Sequence, residues 1–220
     1  MKKSNIETLP HVLAIDGPTK SGKTTVMNIL AEMLPDYHLL DSGMLYRGLG
    51  YIANAYGIFE NHIALKKLAE NLPISFRKGE AFLWENTKAT LILQGEETAI
   101  LASKVAQVPE ARRGLMNYLL TCRKEPGLIA IGRDMSWIFP DTPFKYYLNP
   151  SIKKRAEWCC LKVNEDYLAT YQKINERDDN DRNRTISPLQ IHQDALIIDS
   201  SDMSAQQTAE LILRDYIDRK

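Results

Sequence analysis

Apolar positions along the chain switch repeatedly between two rhythms. Short unbroken apolar runs of strand length alternate with stretches in which apolar residues return every three or four positions, as on one face of a helix. Val12 to Ile15 is the first run, and after it Val26, Ile29, Leu30, Met33 and Leu34 recur at helical spacing. Tyr37 to Leu40 predicts a second strand, ending in Asp41-Ser42-Gly43, and an apolar helical pattern then runs through Ala55 until Gly57 ends it. Ile63 to Leu72 predicts another helix. Ile74 to Trp84 alternates and turns like a hairpin, and Thr90 to Leu93 is expected to continue that small antiparallel sheet. Ile100 to Val108 and Arg112 to Cys122 predict helices separated by Pro109. Leu128 to Ile131 is the most apolar run, as in a strand buried on both faces. Phe144 to Leu148 predicts a further strand, Ile152 to Lys162 a helix, Ala195 to Asp199 the last strand and Ala205 to Ile217 the closing helix. This alternation predicts an α/β protein with a mostly parallel sheet, and the antiparallel patch predicts an inserted lobe.

Composition narrows the setting. A chain of 220 residues can bury one sizeable core without metals or disulfides. Its 28 basic and 28 acidic residues cancel, so no global charge points to nucleic acid or an anionic membrane. Cys122 and the adjacent Cys159-Cys160 fit neither a disulfide framework nor a zinc spacing, and they predict buried thiols in a reducing compartment. The basic start, Met1 to Pro10, has no apolar targeting region, and no run reaches membrane-spanning length. A cytoplasmic location is expected. His11, His38, His62 and His192 are scattered, with no spacing for a metal site or a general base.

The chemistry begins between the first strand and the first helix. Gly17-Pro18-Thr19-Lys20-Ser21-Gly22-Lys23-Thr24 is a complete Walker A pattern in its strand, loop, helix context, followed by Thr25. Backbone N–H groups of the loop and the positive end of the helix are expected to surround nucleotide phosphates. Lys23 is expected to reach the outer phosphates, and the Thr24 hydroxyl to sit on a magnesium ion. The motif makes the predicted architecture a three-layer αβα P-loop NTPase fold. In such a sheet the ligand crevice lies past the carboxyl ends of the strands, where Asp16, Asp41 and Asp134 all fall. Arg133 also sits at that mouth, whereas Arg47 and Arg112 lie in helical patterns where arginine is ordinary. Glu176 to Arg184 reads in isolation as a solvated helix face; beside a P-loop, its arginines make it a candidate lid over phosphates.

These residues resemble bacterial cytidylate kinase, a P-loop nucleoside monophosphate kinase family, from Ala14 to about Tyr216. The resemblance is carried by Ala14 to Pro18, Leu40 to Arg47, Leu93 to Glu96, Ala102 to Ala106, Gly132 to Met135, Glu176 to Arg184 and Asp194 to Asp199. It implies transfer of the terminal phosphoryl group of ATP to CMP or dCMP, with Mg2+ and with Lys23, Arg133 and Arg184 catalytic. It implies ATP at the loop from Gly17 to Thr25 and at Arg182. Ser42, Tyr46 and Arg47 belong to the acceptor site by resemblance, with Arg47 and Arg133 on its phosphate. Ser103, Arg112 and Asp134 match positions holding cytosine, Arg177 and Asp181 those near the ribose, and Arg184 a lid arginine at the phosphates. The expected single domain has a core of residues 10–56 and 123–220, an acceptor-binding lobe at about 57–122 and a lid at about 173–187. Partners are expected to be ATP and CMP or dCMP, with no nucleic acid polymer, no membrane and a monomeric state.

The chain departs from the family in places. Lys20 replaces a glycine, Ile131 stands where Asp begins an Asp-Gly-Arg-Asp pattern, and Trp158, Cys159 and Asn180 replace arginines. These losses leave open a catalytically weak or inactive nucleotide-binding relative with a regulatory role. A kinase with another acceptor, such as UMP or a small metabolite, is the other alternative.

Overall fold

A computed structural model describes residues 9–77, 80–84, 86–163 and 166–220. The first eight residues and the expected hairpin turn at Lys78-Gly79 lie outside them. The central sheet is parallel, in the order β2 (His38–Asp41), β6 (Gly127–Gly132), β1 (His11–Asp16), β7 (Lys145–Leu148), β8 (Leu196–Ile198). Side-chain alternation along its inner strands builds two cores. Val12 and Ala14 of β1 and Leu128 and Ala130 of β6 face one layer, while Leu13, Ile15, Ile129 and Ile131 face the other. A slip of one residue would exchange the two faces, so burial on both sides fixes the register in which Ile15 lies beside Ile131 and Asp16 beside Gly132.

On the second face lie α1 (Lys23–Met33) and α10 (Ala205–Arg219), contributing Val26, Met27 and Leu30, and Ala209, Ile212 and Tyr216. Ser204 and Gln207 close a capping box at the start of α10. The first face carries α2 (Ser42–Ala55), α3 (His62–Glu70), α6 (Pro109–Thr121) and the short α7 (Met135–Ile138). Pro109, expected between two helices, is the first residue of α6, where its missing N–H costs nothing. The layered α/β arrangement expected from the sequence is therefore present.

The small sheet, β3 (Ile74–Arg77), β4 (Glu80–Leu83) and β5 (Thr87–Lys88), is antiparallel and separate from the central one. Here one expectation fails. Thr90 to Leu93 is not a strand but most of α4 (Thr90–Gln94), and the third strand is the shorter Thr87–Lys88. Thr87 and Lys88 already pair with β4, and the Thr90 hydroxyl accepts the Ala81 N–H at 2.9 Å and donates to Glu80 at 2.7 Å. The chain turns away there, burying Leu93 and leaving Leu91 exposed. The next helix, α5 (Glu96–Val105), begins and ends earlier than expected. Leu65, Leu83, Leu93 and Leu115 join the same core as Leu40 and Leu49, so the insertion packs onto one face of the central sheet.

The last pair of helices is α8 (Ile152–Val163) and α9 (Tyr167–Asn183). The charged run at Glu176 to Asn183 is the carboxyl-terminal part of α9. All three cysteines are free thiols, half-buried rather than buried as expected, because Cys159 and Cys160 fall on a partly solvated side of α8.

Candidate active site

The P-loop joins β1 to α1. Gly22 caps α1 with φ 87°, a left-handed conformation natural to glycine, and no side chain caps the helix. Its first amides thus point outward as donors for an anion. Gly17 is equally constrained: a Cβ there would lie 2.4 Å from the Leu148 carbonyl oxygen. Lys20 is held at φ 58°, a conformation costing an L-residue about 1–2 kcal/mol. Its side chain is exposed.

Lys23 is buried, and its ammonium donates to the carbonyls of Gly17 at 2.8 Å and Pro18 at 2.7 Å and to Ser21 Oγ at 3.0 Å. Burial, then repulsion from Arg133, drives its pKa well below the usual lysine range. Thr24 Oγ1 donates to Asp41 Oδ2 at 3.3 Å, and Asp41 Oδ1 accepts the Met44 N–H to cap α2. A hydroxyl beside a carboxylate at the foot of the P-loop is a donor set that suits Mg2+.

Strand β6 delivers Arg133 and Asp134. Arg133 Nε donates to Asp181 of α9 at 2.7 Å, and Arg184 lies 3.8 Å from the other oxygen of Asp181. Arg112 of α6 donates to Asp134 Oδ2 at 3.1 Å, and its guanidinium stands 5.4 Å from the centre of the Tyr46 ring. Burial raises the Tyr46 phenol to about 12. Tyr46, Arg112 and Asp134 thus form one wall. The loop bearing Asp134 is pinned by Asp16, whose two oxygens accept the Met135 and Ser136 amides, each at 2.8 Å. Burial raises the pKa of Asp16 despite those bonds. Ser42 is buried beneath the same loop, where Gly132 leaves room for its hydroxyl.

Several cations converge on the space between these walls. Burial and then repulsion from Arg177 lower the Arg47 pKa, while burial and then Arg133 lower that of Arg177. Arg184 is likewise lowered by burial, opposed by Asp134 and Asp181, and its Nε donates to the Ser187 carbonyl. Arg47 Nη1 is engaged with the insertion, donating to Leu93 O at 2.7 Å and Gly95 O at 2.8 Å. Ser103 is not brought to the cleft wall by any contact: it is exposed and bonds Ala99 O within its own helix. Arg182 is half-exposed and lies near Asp179 and Asp178.

The sequence reading missed a buried clamp on the loop. Asp178 of α9 accepts the Thr19 N–H at 3.0 Å and pairs with Arg155 of α8 at 2.7 Å, and Arg155 donates to the Thr19 carbonyl at 2.9 Å. Beside it opens a cavity of about 360 Å³ lined by Asn149, Pro150, Arg155, Asp178, Arg182 and Asp199. Asn149 and Pro150 follow strand β7, so the strand-end rule that picked out Asp16 had the power to find them.

Comparison with known proteins agrees with this geometry. A family model described as cytidylate kinase matches residues 13–218. A protein named cytidylate kinase from Pseudomonas aeruginosa is 38% identical over 215 residues, covering 92% of this chain and 93% of its own. One of the same name from Marinomonas sp. is 37% identical, covering 93% and 94%. Among solved structures, a crystal structure of an uncharacterized protein from Eubacterium ventriosum superposes with a TM-score of 0.50 at 13% identity, over 96% of this chain and 99% of that one, a likeness of fold alone.

Proposed function

The chain belongs to the cytidylate kinase family, and from that premise we propose how its residues work: it phosphorylates CMP with ATP, giving CDP and ADP, in the cleft between the P-loop, β6 and α9. The observation that carries the reading is the convergence of Arg47, Arg133, Arg177 and Arg184 on the side of the P-loop where Arg112 holds Asp134. Like charges gathered this closely repel one another in an empty cleft and are well matched to two phosphate-bearing ligands.

The donor phosphates lie over the outward amides of α1. Lys23 exchanges its Gly17, Pro18 and Ser21 contacts for phosphate oxygens, whose negative charge favours its ammonium form. The cavity beside Asn149 and Arg182 takes the donor's base and sugar. Thr24 is the P-loop hydroxyl that would hold a nucleotide-borne Mg2+, which would supply neutralisation of phosphate charge.

On the acceptor side, Arg133 and Arg47 hold the CMP phosphate, and Arg177 and Asp181 lie at the sugar. Asp134, fixed by Arg112 and by the Asp16-anchored loop, accepts from the exocyclic amine of cytosine; uracil presents an acceptor there and leaves the carboxylate unpaired. Ser42 and Tyr46 complete that wall, while Ser103 reaches it only if α5 moves. Residues 57–122 act as the acceptor-binding lobe and 173–187 as the lid, in which Arg184 and Arg182 meet the phosphates. No strong base is needed, since positioning and charge compensation supply most of the rate. A coupled ADP-release assay over CMP, dCMP, UMP, dUMP and AMP tests the reading. Turnover with CMP and dCMP ahead of the rest is expected; none with any acceptor would refute it.

A further inference from the structure

Aspartates line the cleft, and all but one either pair with an arginine or hold two backbone amides. Asp16 holds two amides, Asp134 holds Arg112, Asp178 holds Arg155 and Thr19, and Asp181 holds Arg133 with Arg184 nearby. Asp41 differs. Its Oδ1 caps α2, its Oδ2 faces only the Thr24 hydroxyl, and among the described residues no lysine or arginine lies within ion-pair distance of it.

P-loop proteins hold Mg2+ with the hydroxyl after the loop lysine and with a strand-end aspartate. Strand β6, beside the P-loop strand, closes instead with Ile131 and Gly132, and Ile131 is 1% exposed and packed into the core with Val26 and Met27. Ile131 pairs in register with Asp41 on β2. We propose that Asp41 supplies the carboxylate for the nucleotide-borne Mg2+, reaching from the next strand out in place of the side chain that Ile131 cannot provide.

The spacing supports this. Adjacent ligands of an octahedral Mg2+ with metal–oxygen distances of about 2.1 Å lie about 3.0 Å apart. Thr24 Oγ1 and Asp41 Oδ2 are 3.3 Å apart, so a small adjustment lets both meet one ion. Phosphate oxygens and water complete such a site without a protein cage, and among the described residues there is none.

The inference rests on the nucleotide-binding reading of the P-loop, and its test is ADP binding by calorimetry, in Mg2+ and in EDTA, for wild type and Asp41→Asn. Asparagine keeps the cap on Met44 and removes the charge. Wild type is expected to bind ADP more tightly with Mg2+ than in EDTA. The variant should lose about tenfold or more of that ratio, while binding metal-free ADP no more weakly than wild type. An unchanged ratio would reduce Asp41 to a helix cap and overturn the inference, as would a wild type without any metal effect. Asp41→Ser, also a good N-cap, carries the same measurement if the first variant folds poorly. CMP turnover is read separately: a metal ratio that depends on Asp41 in a protein without turnover would sink the kinase reading and leave the Mg2+ assignment standing.

Discussion

Replacing Asp178 by asparagine should damage stability and ATP use together. The carboxylate is 1% exposed, pairs with an Arg155 side chain only 4% exposed, and accepts the amide of Thr19 within the P-loop. Removing one partner of a buried ion pair costs about 3–5 kcal/mol, because the other charge stays buried without compensation. In a chain of this size each kcal/mol shifts the melting temperature by about 2–4 °C, so Asp178→Asn should melt roughly 6–20 °C lower. The clamp also fixes both polar groups of the Thr19 peptide, so loosening it moves the phosphate-binding amides, and kcat/KM for ATP should fall about a hundredfold. KM for CMP should change far less. A double variant, Arg155→Met with Asp178→Asn, separates the terms. It removes the stranded charge, and the new amide oxygen still accepts the Thr19 N–H, but the buried Thr19 C=O loses its Arg155 donor, at about 1–3 kcal/mol. Thermal melts followed by circular dichroism and initial rates at varied ATP suffice. A melting shift under about 3 °C, or an unchanged kcat/KM for ATP, would refute the reasoning.

Three further outcomes are expected. Lys23→Ala should lower kcat by about a thousandfold or more with the far-ultraviolet spectrum intact, since the loop backbone keeps its shape while the charge following the phosphoryl group is lost; normal turnover would reject its role. Asp134→Asn should narrow the CMP to UMP ratio of kcat/KM by about 1–3 kcal/mol, because an amide both donates and accepts; an unchanged ratio would place base reading elsewhere. A two-headed CMP and ATP analogue should slow hydrogen exchange in residues 173–187, most at Arg184 to Ser187 beyond the end of α9; equal protection with and without it would reject the lid.

Whatever depends on local order is set by the amino-acid sequence alone. The P-loop is a contiguous motif whose glycines, lysine and threonine must be neighbours to work, and the apolar run at Leu128 to Ile131 has to be a doubly buried strand. The cytidylate kinase resemblance followed from short stretches of the same local kind, and the family membership agrees with it. Thr90 to Leu93 was not legible, because four residues of mixed apolar character fit a helix turn or a strand equally well. What decided it was the edge of β4, already occupied by Thr87 and Lys88.

Everything that joins distant segments was left to the tertiary structure. The sheet order sets Asp41 beside Ile131 although 90 positions part them in the chain, and it brings the carboxylate of one strand to the Thr24 hydroxyl of a helix on another. Arg155 and Asp178 look like ordinary members of charged helices. Only the packing of α8 and α9 against the P-loop turns them into a clamp, since a buried charge there has to find both an opposite charge and the polar groups of Thr19. Local patterns fix what each segment is; burial on both faces of one sheet, and the need to pair every charge it encloses, decide which segments meet.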